Sequence, residues 1–568
     1  MGTSTFKQLI SSGLLTLKAV FVVYGLMNSV CFAETKQGAI ASAHPLATNA
    51  GLAILASGGN AFDAAVAVAA VLSVVEPQGS GLGGGGFFLL HRARDKFDVM
   101  IDAREKAPLA AHQGMFQNEC GQVVKNASTQ GPLAAGVPGL PAGLVHLAEN
   151  YGRLPLSVAL KPAINLAEKG FHVGQRFRHL LQYRTHQMTV NSELQAVFYD
   201  QGQIPATGFL LRQKDLARTL RLLSTLGWAG FYQGEIATLL VDSVQKGGGI
   251  WTLADLAAYH VVERKPIFGE YRGIKITSAA PPSSGGIVLV EVLNILAGYS
   301  LETMTSVMRK HLIIEAMRRA YRDRAVYLGD PDFVQIPVKQ LLSADYAAGL
   351  RVSMQSDKAF PSVLLNGPLA DQAGGEDTTH FSIMDHGGNR VAATLSINFP
   401  FGSGFIASET GVVLNNEMDD FVSRIGSVNG YGLIGGAANS IVGGKRMLSS
   451  MTPTFLEDEH RVVALGTPGG SRIISMVLLA ILEFAKGAEI QAIVDAPRFH
   501  HQFIPDKVQF ESEALTGDEV KALTRRGHRL EEKNNRYGDM QAVLRQKDNN
   551  QAMEAASDFR GEGLAVVR

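Results

Sequence analysis

From Thr379 to Met384 the chain alternates, with Thr379, Phe381 and Ile383 on one side and His380, Ser382 and Met384 on the other. A second alternating run extends from Arg390 to Ile397 beyond the turn segment Asp385-His386-Gly387-Gly388-Asn389. Period two on both sides of a glycine-containing turn predicts a β-hairpin. If Asp385 pairs with Asn389 across a three-residue loop, the same register sets Thr378 opposite Ser396. Directly opposed side chains lie roughly 5 Å apart, so two hydroxyls are predicted to meet where the first strand begins.

Upstream, the pattern predicts a short strand from Gly38 to Ala43 and a helix entering at Pro45 and stopping at Gly58-Gly59, proline at the start and glycine at the stop. Asn60 is placed to cap the next helix, whose Ala61 to Val75 run is apolar almost all round and is expected to be buried. It leads through the glycine-rich stretch Gly79 to Gly86 into a strand from Phe87 to His91. Gly81, Gly83 and Gly86 have the spacing G-x-G-x-x-G, but a dinucleotide fingerprint leaves a strand and opens a helix. Here the order is reversed, which points instead to a tight loop beneath an active site. A strand from Phe97 to Ala103 then delivers Arg104.

Helical periodicity follows in Gly143 to Tyr151, Pro155 to Gly170, Leu216 to Gly227, Phe231 to Gly247 and Thr252 to Tyr259, a helical region laid on the sheet. The turn Pro281-Pro282-Ser283-Ser284-Gly285-Gly286 opens a helix from Ile287 to Ala297. The helix His311 to Leu328 carries Arg318, Arg319, Arg322 and Arg324, which are expected on a solvated face. Residues 353 to 377 have little periodicity and are expected to form a flexible linker ending at Thr378.

Composition narrows the classes of function. Lys plus Arg equals Asp plus Glu at 52 each, which argues against a global attraction to nucleic acid or an anionic membrane. Lys7 and Lys18, the apolar run Ala19 to Met27 and the small residues before Ala33 suggest a secretory signal over residues 1–33, too short to span a bilayer. A cut after Ala33 leaves Cys120 as the single cysteine and no internal disulfide. His500 and His501 are adjacent, a poor geometry for two ligands of one ion, and no metal or organic cofactor is expected.

The hairpin keeps particular company. Asp377-Thr378-Thr379-His380, Asn415-Asn416-Glu417-Met418-Asp419-Asp420, Leu448-Ser449-Ser450 and Gly466-Thr467-Pro468-Gly469-Gly470-Ser471 follow in order, with Arg104-Glu105-Lys106-Ala107-Pro108 upstream. With these segments the chain resembles the γ-glutamyltranspeptidases (glutathione hydrolases), a family of N-terminal-nucleophile hydrolases. The resemblance implies an α+β fold, a four-layer αββα sandwich with added helices. It also implies cleavage before Thr378, giving a large subunit, residues 34–377, and a small catalytic one, 378–568, intertwined in one unit. Thr378 would then be the nucleophile, activated by its own freed α-amine, with Ser396 as its hydroxyl partner and Gly469 and Gly470 as oxyanion donors. By the same resemblance Arg104, Ser449 and Ser450 face the substrate's α-carboxylate, while Asn398, Glu417 and Asp420 face its ammonium. Tyr431, in Asn429-Gly430-Tyr431-Gly432, matches the tyrosine of a lid loop.

Three departures from the family pattern stand out. Ser396 replaces a common threonine, Phe399-Pro400 stand where relatives often have polar residues, and Glu417 is one of two residues used at its position. The expected partners are glutathione and other γ-glutamyl compounds, with water or an amino acid or dipeptide amine as acceptor, in the periplasm or outside the cell. A cephalosporin or glutaryl acylase of the same fold is the alternative enzyme. A periplasmic binding protein that never matures is the alternative of another class.

Overall fold

The computed structural model describes residues 38–187, 190–365, 378–424, 426–548 and 551–568. The expected signal segment, Asp377 and the second half of the expected linker, from residue 366, lie outside the described residues.

Two antiparallel sheets form the centre. The first has seven strands, ordered Leu564–Val567, Ala39–Ser42, Thr379–Met384, Arg390–Ser396, Gly85–Arg92, Phe97–Ala103 and Val262–Arg264. The second has six, ordered Met553–Ser557, Gln541–Gln546, Arg461–Gly466, Thr454–Glu457, Ile274–Ser278 and Ile267–Tyr271. Each sheet therefore takes strands from both sides of residue 377.

Strand periodicity decides which residues enter which core. In the Gly85–Arg92 strand, Phe88 and Leu90 pack with the helices Pro45–Ala56 and Ala61–Val75, while Phe87 and Leu89 point into a second core with Gly285–Leu296, Ser306–Tyr327 and Ile473–Ala485. The layers are therefore helix, sheet, sheet, helix, as expected. The Ala61–Val75 helix is buried along its whole length, and Asn60 caps it through the N–H groups of Phe62 and Asp63.

Three expectations change. The helix expected over Phe231 to Gly247 is two helices, Ala229–Tyr232 and Gly234–Lys246, separated at Gln233, whose backbone is extended. More consequentially, the arginines of Ser306–Tyr327 are not on a solvated face. Arg318, Arg319 and Arg324 are buried, and Arg322 is only partly exposed. For Arg318, Arg319 and Arg322 the reason is local neutralisation: Glu315 takes Arg318 at 3.1 Å and Arg319 at 2.7 Å, Asp506 also pairs with Arg318, and Asp323 takes Arg322 at 2.6 Å. Arg324 donates to the hydroxyls of Ser284 and Ser450. The described part of the expected linker is not featureless either, since Ser362–Leu365 form a short helical turn held by Arg318 through Ser362.

Candidate active site

The hairpin register is the one read from the sequence. Leu395 pairs with Thr379, Arg390 with Met384, and the Asp385 N–H donates to the Asn389 carbonyl at 3.1 Å. Thr378 therefore sits beside Ser396 at the open end of the pair, and both line one cleft. Thr379 Oγ1 donates to Glu76 Oε2 at 2.6 Å, fixing the first residue of the strand. Beneath runs the glycine loop. A Cβ on Gly84 would lie 2.1 Å from the Ser396 carbonyl oxygen, and one on Gly86 2.3 Å from that of Thr394. No side chain fits there, which is why this stretch is glycine.

Across the cleft lies a compact charge cluster. Arg104 is 1% exposed and forks between Glu417 Oε2 at 2.7 Å and Asp420 Oδ2 at 2.5 Å, with Glu105 at 3.4 Å. Burial alone would lower the arginine's pKa, but Glu417, Glu105 and Asp420 together raise it above its ordinary value. Burial pushes the Glu417 carboxyl up to about 7, with Asp420 adding to the rise and Arg104 and Ser396 opposing it. Burial likewise drives Glu105 well above the usual range, with Glu417 adding to it. Asn398, whose φ is 73°, donates its backbone N–H to Ser396 Oγ at 2.7 Å and its side-chain amide to the Asn416 carbonyl at 2.9 Å.

Ser449 and Ser450 close another side, and their surroundings set which way their hydroxyls work. Ser449 Oγ accepts from the Met451 N–H at 3.1 Å, and Ser450 Oγ accepts from Arg324 at 3.1 Å. An acceptor role filled by a fixed donor leaves each O–H to donate elsewhere. Arg324 also donates to Ser284 Oγ at 2.9 Å, which in turn donates to the Ser449 carbonyl at 2.7 Å. Sequence reading placed Arg324 on the surface. Its position one helical turn after Ala320, on the apolar side of its helix, was the available signal.

Gly469 and Gly470 have φ of 138° and 56°, conformations that suit glycine. Among the described residues no hydrogen bond uses either backbone N–H. Tyr431 lies over Gly470, where a Cβ would come within 2.4 Å of the ring. Its hydroxyl donates to the Asn398 carbonyl at 2.9 Å, and its ring meets Phe399 edge-on at 5.0 Å. The loop is tied to the charge cluster through Asn429, which donates to Asp420 at 3.1 Å, and through the Gly430 N–H, which donates to Asp419 at 2.7 Å. Burial pushes Asp419 up to about 6, against its bonds from Ser128 and Gly430.

All the catalytic, substrate-binding and lid residues expected from the resemblance line this cleft except Gly469, the chain neighbour of Gly470. The cleft volume is only about 20 Å³, room for roughly one water. His500 and His501 lie elsewhere, on Ser475 and Asp506 respectively. Cys120 is exposed. Among the described residues no group of three or more His, Cys, Asp or Glu is placed to hold a metal ion.

A four-layer sandwich with a buried threonine leading a central strand, beside a preformed cluster for charged groups, is the arrangement of an N-terminal-nucleophile hydrolase. Bacillus halodurans cephalosporin acylase matches it with a TM-score of 0.80 at 28% identity, over 94% of this chain and 96% of that one. Residues 47–567 match the family model of gamma-glutamyltranspeptidase, and the chain belongs to that family. The glutathione hydrolase proenzyme of Pseudomonas sp. (strain A14) is 44% identical over 535 residues, 93% of this chain and 92% of the relative. A Helicobacter pylori gamma-glutamyltranspeptidase chain is 43% identical with a TM-score of 0.56, over 59% of this chain and 96% of its own length.

Proposed function

We propose that this enzyme is a self-processing γ-glutamyltransferase and glutathione hydrolase in which Thr378 is the nucleophile. The observation that carries the reading is the meeting of Thr378 with Arg104, Glu417, Asp420, Ser449 and Ser450 in one cleft. A γ-glutamyl head group is a zwitterion, and these residues supply its complement. In the empty cleft Arg104 is neutralised by Glu417 and Asp420. An entering α-carboxylate takes the guanidinium fork and the two serine hydroxyls, while the α-ammonium takes the released carboxylates and Asn398. Charge is conserved in the exchange, so burying the substrate does not strand an unpaired ion. With room for one water, the Tyr431 loop has to lift for entry.

Maturation comes first. The Thr378 hydroxyl attacks the Asp377 carbonyl, the acyl group moves from nitrogen to oxygen, and water hydrolyses the ester. This frees the α-amine of Thr378 and separates residues 34–377 from 378–568. The description of the Pseudomonas relative as a proenzyme supports this step, as does the 59% span of the matched H. pylori chain. Because each sheet draws strands from both fragments, the two remain interlocked.

In turnover the freed amine takes the Thr378 hydroxyl proton, directly or through water. The alkoxide adds to the γ-carbonyl, and the N–H groups of Gly469 and Gly470 hold the oxyanion. The amine returns the proton to the leaving nitrogen, a threonine ester remains, and water or an acceptor amine resolves it. Glutathione and other γ-glutamyl compounds are the donors, and amino acids, dipeptides or water the acceptors. Nucleic acid is not a partner. The protein acts in the periplasm or outside the cell; no helix among the described residues is long and apolar enough to cross a membrane.

Intact mass and N-terminal sequencing of the purified protein test the reading. Two chains are expected, the smaller beginning Thr378-Thr379-His380, and Thr378→Ala is expected to stay whole and inactive. Cleavage of Thr378→Ala at the same bond would sink self-processing. Faster turnover of glutaryl amides than of γ-glutamyl amides would give the site to an acylase instead.

A further inference from the structure

The hairpin that presents Thr378 has another end. The Thr379–Met384 strand is six residues long, about 20 Å at 3.4 Å per residue, and its far end opens on a second, larger cleft between the two sheets. This cleft measures about 650 Å³, within the range of small-molecule sites. Met384 and Arg390, the residues flanking the hairpin turn, lie in its wall, as Thr378 and Ser396 do in the first.

Its chemistry is one-sided. Lys96, Lys275, Arg390, Arg545 and Lys547 line it against only two carboxylates, Asp98 and Glu457. Asp98 is engaged by His91 at 2.8 Å. Glu457 is shared, holding Lys547 at 2.8 Å and Arg390 at 3.5 Å. Arg545 donates to Gln551, not to a carboxylate, and Lys96 and Lys275 have no ion pair among the described residues. Arg390 is 7% exposed, rests on the Phe455 ring at 5.4 Å, and its Nε has no hydrogen-bond partner. Burial holds its pKa below the ordinary value despite Glu457 and Asp98. A buried guanidinium nitrogen without an acceptor is costly, and an anion in the cleft would supply one. Met384, Phe455 and Val462 give the same wall an apolar floor.

We propose that this second cleft binds an organic anion with an apolar body and more than one acidic group, its acidic groups taken by Arg390, Lys275 and Lys96. The site is separate from the one at Thr378 and independent of the reaction assigned there. The probe is 4,4'-dianilino-1,1'-binaphthyl-5,5'-disulfonate, titrated by fluorescence into the mature two-chain enzyme. Saturable binding of one equivalent is expected, displaced by naphthalene-2,6-dicarboxylate or by naphthyl phosphate, and the stronger competitor identifies the preferred acid group.

Reversing the two exposed lysines, Lys96→Glu with Lys275→Glu, is expected to weaken binding by at least about tenfold and to leave γ-glutamyl hydrolysis unchanged. Arg390→Lys keeps the buried charge but loses the planar fork, and at least about a threefold loss is expected. No saturable binding, no displacement by either competitor, or unchanged affinity in the lysine double variant overturns the proposal. Unchanged affinity in Arg390→Lys does so too.

Discussion

Arg324 offers a test of how the cleft recognises a carboxylate. It donates to Ser450 Oγ at 3.1 Å and to Ser284 Oγ at 2.9 Å, and it is not among the residues lining the cleft. Replacing it with Met keeps an unbranched stem of similar width and deletes both donors. Ser450 is then free to rotate and no longer presents its O–H in one direction. Counting only the bond to Ser450, a hydrogen bond from a charged donor is worth about 1.5–3 kcal/mol, a factor of about 10 to 150 in kcat/KM. The carboxylate contact is made in ground state and transition state alike, so the loss belongs in KM and kcat should hold. The assay is hydrolysis of a γ-glutamyl anilide, followed by absorbance of the released amine, beside a 4-aminobutanoyl anilide that keeps the ammonium and lacks the α-carboxylate. Arg324→Met should be impaired on the first and equal to wild type on the second, which is a double-mutant cycle with the substrate as one partner. Equal impairment on both donors, or a fall in kcat alone, would refute the reasoning. Conversion to two chains serves as the check that the variant folds.

Three further outcomes follow from the same geometry. Glu417 has a folded pKa of about 7 against an ordinary 4.5, so its contribution to the stability of the empty enzyme is full below about 4.5 and lost as pH rises through about 7; the melting temperature of wild type should fall relative to Glu417→Gln between pH 5 and 8, and a constant difference would contradict the shift. The same variant should remove any titration of KM near pH 7 while leaving the reaction class intact, as pH profiles would show. Gly470→Ala places a Cβ 2.4 Å from Tyr431 at a φ of 56°, and kcat should fall on the order of 100-fold as the oxyanion donor shifts; an effect under about threefold in steady-state assays would remove Gly470 from that role.

What the sequence determined was local or periodic. Alternation on both sides of the turn predicts the hairpin, and the register follows if Asp385 pairs with Asn389, as it does; a slip of one residue would turn every side chain to the wrong face. The Gly79 to Gly86 stretch reads as a tight loop beneath an active site, and the structure shows what it packs against, the carbonyls of Thr394 and Ser396. Arg104, Asn398, Glu417 and Asp420 are singled out through resemblance, and the fold brings them to one cleft. Periodicity was weakest where helices are polar: Gln175–Gln187 was not anticipated, since its mean character is hydrophilic and its burial is partial.

Tertiary structure decided the fate of the charges whose partners are distant in sequence. On Ser306–Tyr327 some partners are local, Glu315 three and four residues before Arg318 and Arg319 and Asp323 next to Arg322, but the others are far away in sequence. Asp506 stands 188 residues from Arg318, and Ser450 stands 126 from Arg324. Arg104 and Asp420 are 316 apart. Desolvating an ion is tolerated only when its partner is brought to within a few ångströms in the same fold, and for these distant partners that proximity is a property of the packed layers, which no local pattern encodes.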